Sequence, residues 1–501
     1  MSITGPGSIT AANLAAQNNM FNQLNTLSAQ LGTGKVAQTY SGLGSQAGVA
    51  LTLSEQLSAM DGYSTTASTV GTTLSIAQSV LTQLGNVGSG VQQVLSGETN
   101  FTLDANGQTP AQAAAANYLD EIVSLLNTQV GSNYLFSGSA VGQPSVASTS
   151  EILNGNGSQA GLTQVIAQRL QADEGAGNGR LTVGGTGTQV TLSGDGSPFG
   201  FQLAGVNSTL GGATASGPTG SPPTISVNLA SNPSAGQSIS FALTLPDGSS
   251  QTVTLQATTA SPPGANQFTI GTSAAQTAGY LQTALSDAIS NLAQTALPAA
   301  SAIAAADDFF ADPPQRVDPG SPPNYATATS LTNGTPADTV FWYTGENGST
   351  PALQTAVAQV GPSMSVAYGM RANEPAITTL IANVAVLAAT TYSASDPNAA
   401  ASYQALSHSV AANLSPQSGT QSIDDIEADL ANAQTTVKEA TTLNTQTQNT
   451  LQNMLQGIDG VNLNQIGEEI LTLQNNLSAS MSVTARLAQM SLVNYLAPVS
   501  G

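Results

Sequence analysis

Enzyme chemistry needs a nucleophile beside a base, or a cluster of metal-ligating side chains, and this chain of 501 residues is sparse in both. It has no cysteine, which removes thiol nucleophiles, thiolate–metal sites and disulfides. Its single histidine, His408, stands between two serines and reads as an ordinary polar residue. No His, Asp or Glu group has metal-ligand spacing. Asp307-Asp308 and Asp424-Asp425 are adjacent carboxylates, but neighbours along a helix do not face one point. The first pair reads as solvation at a loop or helix end, the second as helix capping. Gly184-Gly-Thr-Gly187 matches neither phosphate-loop pattern, and no Lys follows it. Asp104-Ala-Asn-Gly107 starts like a calcium loop but lacks the bidentate Glu at the twelfth position, so it reads as a turn. Trp342 and Tyr343 read as core residues. No catalytic, cofactor-binding or metal-binding residue is assigned, and the expectation is a structural subunit with no cofactor rather than an enzyme.

The charge points the same way. There are 28 Asp and Glu against 7 Lys and Arg, a net charge of −21, yet only 7% of residues are charged, against about 25% in an ordinary soluble protein. So few cations argue against nucleic acid as a partner, because phosphate contacts need Lys and Arg. An anionic membrane surface is an equally poor partner for the same reason. The acids are spread along the chain, so they read as a solubilising charge and not as a binding tail. No apolar run reaches the about 18 residues of a membrane span. Met1–Thr10 has no basic region leading into an apolar stretch, so export is expected to use an uncleaved signal.

The elements able to position a functional surface lie at the two ends. From Asn13, apolar residues recur at Met20, Leu24, Leu27 and Leu31, and Gly32 and Gly34 stop that helix. After a turn at Ser41-Gly-Leu-Gly-Ser45, a second helix is predicted over 47–95. Its Val70, Leu74, Ala77, Leu81, Leu84, Val91 and Leu95 hold a heptad register, with Gly88 at one seam position. A third helix, over 111–130, carries Leu119, Ile122, Val123, Leu126 and Val130, and Gly131 is expected to end it. The C-terminal end repeats the plan. Ser422-Ile-Asp-Asp425 forms a capping box. Ile426, Leu430, Ala433, Val437, Ala440, Leu451, Met454 and Ile458 alternate at helical seam spacing, with Asn444 and Thr447 at polar seam positions expected to set register. Gly457-Ile-Asp-Gly460 breaks the run, and a last helix carries Ile466, Ile470, Leu473, Leu477, Met481, Ala488 and Tyr495.

Each end thus has a longer inner helix, about 65–75 Å, and a shorter outer helix, about 40–50 Å. Matching lengths predict antiparallel packing of N- and C-terminal helices. The outermost helices have too few partners in one chain to bury their seams. Leu14, Leu24, Leu31, Ile470, Leu473, Leu477, Leu492 and Tyr495 are therefore the candidate assembly residues, to be covered by other copies, with the ends ordering on binding.

The middle differs. From Leu181 to Ile270 it is rich in Gly, Ser and Thr with short alternating runs. Ile239, Phe241, Leu243 and Leu245 alternate into the turn Pro246-Asp-Gly-Ser249, and Val253, Leu255 and Ala257 alternate on the way back, a hairpin. Helical periodicity returns over 281–296 and 377–389. The expected fold class is α+β, mainly α. Long N- and C-terminal helices pack as an antiparallel coiled-coil-like bundle around an inserted, β-rich α+β middle domain. The expected segments are an outer helix over 1–40, an inner bundle over 41–150, the insert over 151–410, the returning inner bundle over 411–460 and an outer helix over 461–501.

Three stretches then carry a family resemblance. Asn133-Tyr-Leu-Phe-Ser-Gly138, followed by Pro144, is similar to the aromatic segment after the third helix in flagellar junction subunits. Thr484-Ala-Arg-Leu-Ala-Gln-Met-Ser-Leu-Val-Asn-Tyr-Leu496, after Ile470-Leu-Thr-Leu-Gln474, looks like their C-terminal helix. Tyr368-Gly-Met-Arg-Ala-Asn-Glu374, after Phe341-Trp-Tyr-Thr-Gly345, resembles a segment of members with enlarged middles. Over 1–150 and 410–501 the chain resembles the bacterial flagellin superfamily, and within it the subunits that join hook to filament. Ser45-Gln-Ala-Gly48 stands where typical members carry an Asp-Asp-rich stretch. The resemblance implies an extracellular flagellar subunit, exported unfolded through the type III apparatus with a dedicated export chaperone. It implies a homo-oligomeric ring between a neighbouring hook-associated protein and flagellin. The other readings are flagellin proper, the filament subunit, and a surface adhesin with a glycan-binding middle.

Overall fold

The structure is a computed structural model that describes residues 6–98 and 100–495, with side chains described within 11–487. Along the chain, α1 (Pro6–Thr33) ends at the predicted glycines, a short helical turn (Tyr40–Gln46) takes the Gly/Ser stretch, and α2 runs over Ala47–Gly97. α3 (Pro110–Leu126) starts at a capping box in which Gln112 N donates to Thr109 Oγ1 at 3.3 Å and Thr109 N to Gln112 Oε1 at 3.0 Å. It does not continue to Val130. Asn127 leaves the helix because its side chain is taken by a later segment, accepting from Ser145 N at 2.8 Å and donating to Val146 O at 3.0 Å. Gln129–Val130 (β1) instead pairs antiparallel with Asn133–Tyr134 (β2). Two helices follow, α4 (Thr149–Asn154) and α5 (Leu162–Glu174).

The β-rich stretch comprises β3 (Leu181–Gly184), β4 (Gln189–Gly194), β5 (Gln202–Ser208), β6 (Ala213–Thr219), β7 (Thr224–Leu229), β8 (Ser238–Thr244), β9 (Ser250–Thr258) and β10 (Gln267–Thr269). They form two four-stranded sheets, ordered β3-β4-β7-β6 and β10-β9-β8-β5. The predicted hairpin is β8–β9, in register from Ser238↔Gln256 to Thr244↔Ser250. Alternate residues point inward, as a period of two requires. Val190, Leu192, Ile225, Phe241, Leu243, Val253 and Leu255 meet in one core, completed by Leu281, Leu285 and Ile289 of α6 (Ala274–Gln294).

Beyond α6 come α7 (Ala296–Phe310), β11 (Gln315–Val317), β12 (Leu331–Asn333), the hairpin β13 (Val357–Gly361) and β14 (Met364–Ala367), α8 (Pro375–Ala389) and α9 (Ala399–Asn413). α7 and α8 are buried on nearly every side, and both are rich in Ala. Small side chains let backbones approach closely, so α8 packs on both α3 and α7, and α7 on α5 and α9. α10 (Ile423–Asp459) opens with the predicted capping box, Asp425 N donating to Ser422 Oγ at 3.2 Å and Ser422 N to Asp425 Oδ2 at 2.8 Å. These bonds favour the charged carboxylate and hold Asp425 below its ordinary range. α11 (Leu463–Tyr495) closes the described chain.

By contacts the chain divides into two units. A terminal unit holds the residues up to Gly71, Ala358–Val366 and those from Thr435 onward. A middle unit holds Thr72–Val357 and Ala367–Gln434. Both long inner helices pair antiparallel within each unit. In the terminal unit Gln448 Nε2 donates to Ser64 Oγ at 3.2 Å, and in the middle unit Gln434 Nε2 donates to Ser75 Oγ at 3.0 Å. The heptad residues Val70, Leu74, Ala77, Leu81, Leu84 and Val91 are all buried. Gly88 serves the seam by leaving room, since a β-carbon there would meet Leu380 Cδ1 at 3.4 Å. The fold is α+β and mainly α, with long N- and C-terminal helices and a β-containing middle region, as expected.

Candidate assembly surface

In the terminal unit α1 and α11 pack antiparallel. Gln17, buried on α1, donates from Nε2 to Thr484 Oγ1 at 3.0 Å and to Ser480 Oγ at 3.4 Å. At the other end the two helix breaks clasp each other. Val36 N donates to Asp459 O at 2.7 Å, and Val461 N to Gly34 O at 3.1 Å. Gly34 has φ of 69°, a left-handed turn that a β-carbon disfavours. Lys35 adds an ion pair to Asp459 at 3.1 Å, and Gln30 Nε2 donates to Val36 O at 2.8 Å. This clasp sets the register of both outer helices, and the glycine breaks read from the sequence are its backbone.

Between those ends, Met20, Leu24 and Leu27 of α1 are half-buried. On α11, Ile466 and Leu477 are buried and Ile470 and Leu473 half-buried. Of the candidate assembly residues, Leu24, Ile470, Leu473 and Leu477 thus lie along a seam that one chain already makes, with an open groove of about 790 Å³ bordered by Leu27 and Leu473. Leu14 and Leu31 do not share that cover and are 59% and 43% exposed. Leu492 and Tyr495 belong to the last turns of α11, and their side chains lie outside the described residues.

A second set of apolar side chains joins Leu14 and Leu31. Phe21, Leu463, Leu471, Met481 and Val483 are exposed on the same two helices, and Val49, Leu51, Leu443 and Met454 on the inner pair. Among the described residues, all the exposed large hydrophobic side chains but Val141, Tyr280 and Val357 belong to the terminal unit, which is the smaller of the two. Single exposed apolar residues are normal; here they are concentrated on one unit. Phe21 lies one heptad after Leu14, so the spacing was available in the sequence, but it flanks the Met20–Leu24 seam and does not continue it.

Asn444 has a different role from the one expected. Instead of pairing across a helix seam it is buried at 1% exposure and donates from Nδ2 to Val360 O at 2.8 Å. It holds the β13–β14 hairpin, whose Val360 and Val366 are buried in the terminal unit. A polar residue in a seam signals a buried hydrogen bond; nothing local identifies its acceptor, which lies 84 positions away.

In the middle unit the segments that carried the resemblance meet in one knot. Gly138 N donates to Met370 O at 2.9 Å and Ala372 N to Phe136 O at 2.9 Å, so Asn133–Gly138 lies against Tyr368–Glu374. Glu346 N donates to Ser137 O at 3.0 Å and Ala147 N to Trp342 O at 2.8 Å, which brings in Phe341–Gly345. Arg371 pairs with Glu346 at 3.0 Å. Bonds from Ser139 and this cation hold the Glu346 carboxyl below its ordinary range. Phe136 and Trp342 are buried, and Trp342 Nε1 donates to Phe310 O at 3.0 Å, consistent with a core role.

The remaining charges of this unit are structural. Arg169 on α5 bridges Asp173, at 3.0 Å, and Asp308 on α7. Arg169 and Arg180 both lie over the Phe199 ring, at 5.2 and 5.5 Å, and Arg180 pairs with Asp195 at 2.9 Å. Asp308 is thus an ion-pair member and not a solvated helix end. Burial pushes Asp173 and Asp308 up, against the pull of Arg169. Asp307 remains solvent-accessible in a groove floor; the surrounding protein, then Asp308 and Asp247, push it up to about 6. Arg316 and Arg371 complete the set, and these four arginines are the unit's only Lys or Arg, each ion-paired. His408 lines the same groove as Asp307. Among the described residues, no cluster of His, Asp or Glu could hold a metal ion. No described helix is long and apolar enough to cross a membrane.

Residues 8–141 match the family described as bacterial flagellin N-terminal helical region. The match runs from α1 through the Leu135-Phe136 segment, and it supports the bacterial flagellin family and the part of a structural subunit of the flagellum. A comparison with curated proteins finds no match.

Proposed function

We propose that this chain is the flagellar subunit that joins hook to filament, of the class called hook-associated protein 3. The family match supports a flagellar structural subunit, and flagellins as a family self-assemble into extracellular flagellar polymers. The observation that carries the assembly reading is the concentration of uncovered apolar side chains on α1, α11 and the adjoining halves of α2 and α10. Covering one Leu-sized side chain contributes about 1.5–3 kcal/mol, so burying several of them against each neighbour favours association. The exposed faces are mostly uncharged, so little of that association depends on salt.

The choice of junction over filament rests on the resemblance of Asn133–Gly138, of Tyr368–Glu374 after Phe341–Gly345 and, most specifically, of Ile470–Gln474 with Thr484–Leu496 to junction subunits; the middle segments are hydrogen-bonded to one another. Its partners in this reading are further copies of the chain in a ring, a neighbouring hook-associated protein on one side, flagellin on the other, and an export chaperone before assembly. Electron microscopy of cells lacking the protein tests the reading. Hooks without filaments, with flagellin shed into the medium, are expected. Normal hooks and an intact junction with only the filament subunit missing would assign the chain to the filament instead.

A further inference from the structure

The two sheets of the middle unit have several free edges, and most are blunted in ways that block strand addition. β3 has only four residues and β10 three. β5 is bulged between Leu203 and Gly205, and β6 loses register between Ser216 and Thr219 around Pro218. β9 differs. It is nine residues long, contains neither Pro nor Lys, and pairs with β8 without a bulge. On its other side β10 covers only Gln256–Thr258. The half of β9 before Gln256 therefore has one edge open.

The hydrogen bonds say which groups face that edge. Gln256 N donates to Asn266 O at 3.0 Å on the β10 side, and Ala257 N to Gln237 O at 2.8 Å on the β8 side. Alternation then turns the N–H and C=O of Thr252 and Thr254 outward, away from β8. They face a groove of about 820 Å³ whose far wall is α6, with Tyr280, Thr283, Asp287 and Asn291, and whose end is closed by Pro262–Asn266. Strand-long backbone edges beside a walled slot are the geometry of strand addition.

We propose that this slot takes an extended, basic segment of another polypeptide as an added strand beside Thr252 and Thr254. Charge selects the occupant. Asp287 is the only charged residue lining the slot, and the four arginines of the unit are all engaged in ion pairs elsewhere. A second copy of this acidic unit would bring more carboxylates, and its own α6 wall, to the same edge. The bound strand gains main-chain hydrogen bonds from Thr252 and Thr254 and a cation contact at Asp287.

The test uses the full-length monomer and a synthetic peptide of alternating Val and Thr with Lys at both ends. Amide exchange at Thr252 and Thr254 should slow at least about tenfold on adding the peptide, and less with a peptide ending in Glu. Thr254→Pro removes one outward N–H without touching the β8 ladder, and should abolish the effect. Asp287→Lys, which leaves the sheet intact, should reverse the preference towards the Glu-ended peptide. No slowing with either peptide on the unaltered chain overturns the proposal. So does pairing of the monomer with itself that Thr254→Pro abolishes, since the slot then belongs to a second copy.

Discussion

In the middle unit Phe241, Leu255, Leu281 and Leu285 are fully sealed, while in the terminal unit Leu14, Leu463 and Leu471 are half or more exposed. The two regions use similar apolar residues, so the difference lies in geometry. Two sheets and a helix enclose a core from several sides, whereas paired helices cover only one stripe of each other. The middle unit also holds buried charge, through Arg169, Asp173 and Asp308, whereas the ion pair seen among the described residues of the terminal unit is the partly exposed clasp of Lys35 and Asp459. One unit encloses its apolar side chains within itself, and the other leaves many of them uncovered.

The comparison is sharpest for substitutions that should affect one property and not the other. Leu471→Asp places a charge on an exposed face of α11, and should abolish incorporation into flagella, scored by electron microscopy. The unfolding free energy of the monomer should change by less than about 0.5 kcal/mol. Phe241→Ala is the converse. It should cost about 3–5 kcal/mol in the middle unit, read by denaturant titration, and leave the exchange rates of α1 and α11 unchanged. Asn444→Ala leaves the Val360 carbonyl without its donor and should cost about 1–3 kcal/mol in the terminal unit, with faster exchange in β13–β14.

The smallest effect concerns pH. Asp307 is raised from 3.8 to about 6, so the folded chain holds its proton more tightly than the unfolded one. The stability linked to it is full below pH 3.8 and is lost as pH rises through 6. Asp307→Asn should flatten that part of a thermal stability profile. At pH 7 it should stabilise by less than about 1 kcal/mol, because the carboxylate is in contact with water.

Much of this was legible beforehand where the determinants are local. Heptad spacing marked Val70 to Val91, the Ser422–Asp425 box marked the start of α10, and strict alternation around Pro246-Asp-Gly-Ser249 marked β8–β9. What periodicity does not carry is the identity of the partner. Leu24 and Leu14 are the same residue on the same helix, yet one lies on a seam within the chain and the other is open. Long-range hydrogen bonds were equally silent: Asn127 to Val146 shortened α3, Asn444 to Val360 anchored a hairpin, and Phe136 met Ala372 across more than two hundred residues. Each depends on acceptors that no local pattern names.

The most direct measurement is amide hydrogen exchange on the free monomer and on the same protein in isolated flagella. Residues 11–33 of α1 and 463–487 of α11 should exchange at least about a hundredfold more slowly once assembled, while β8 and β9 are equally protected in both. Equal protection of α1 and α11 in the two states would mean that no other copy covers them, and would contradict assembly through the terminal unit.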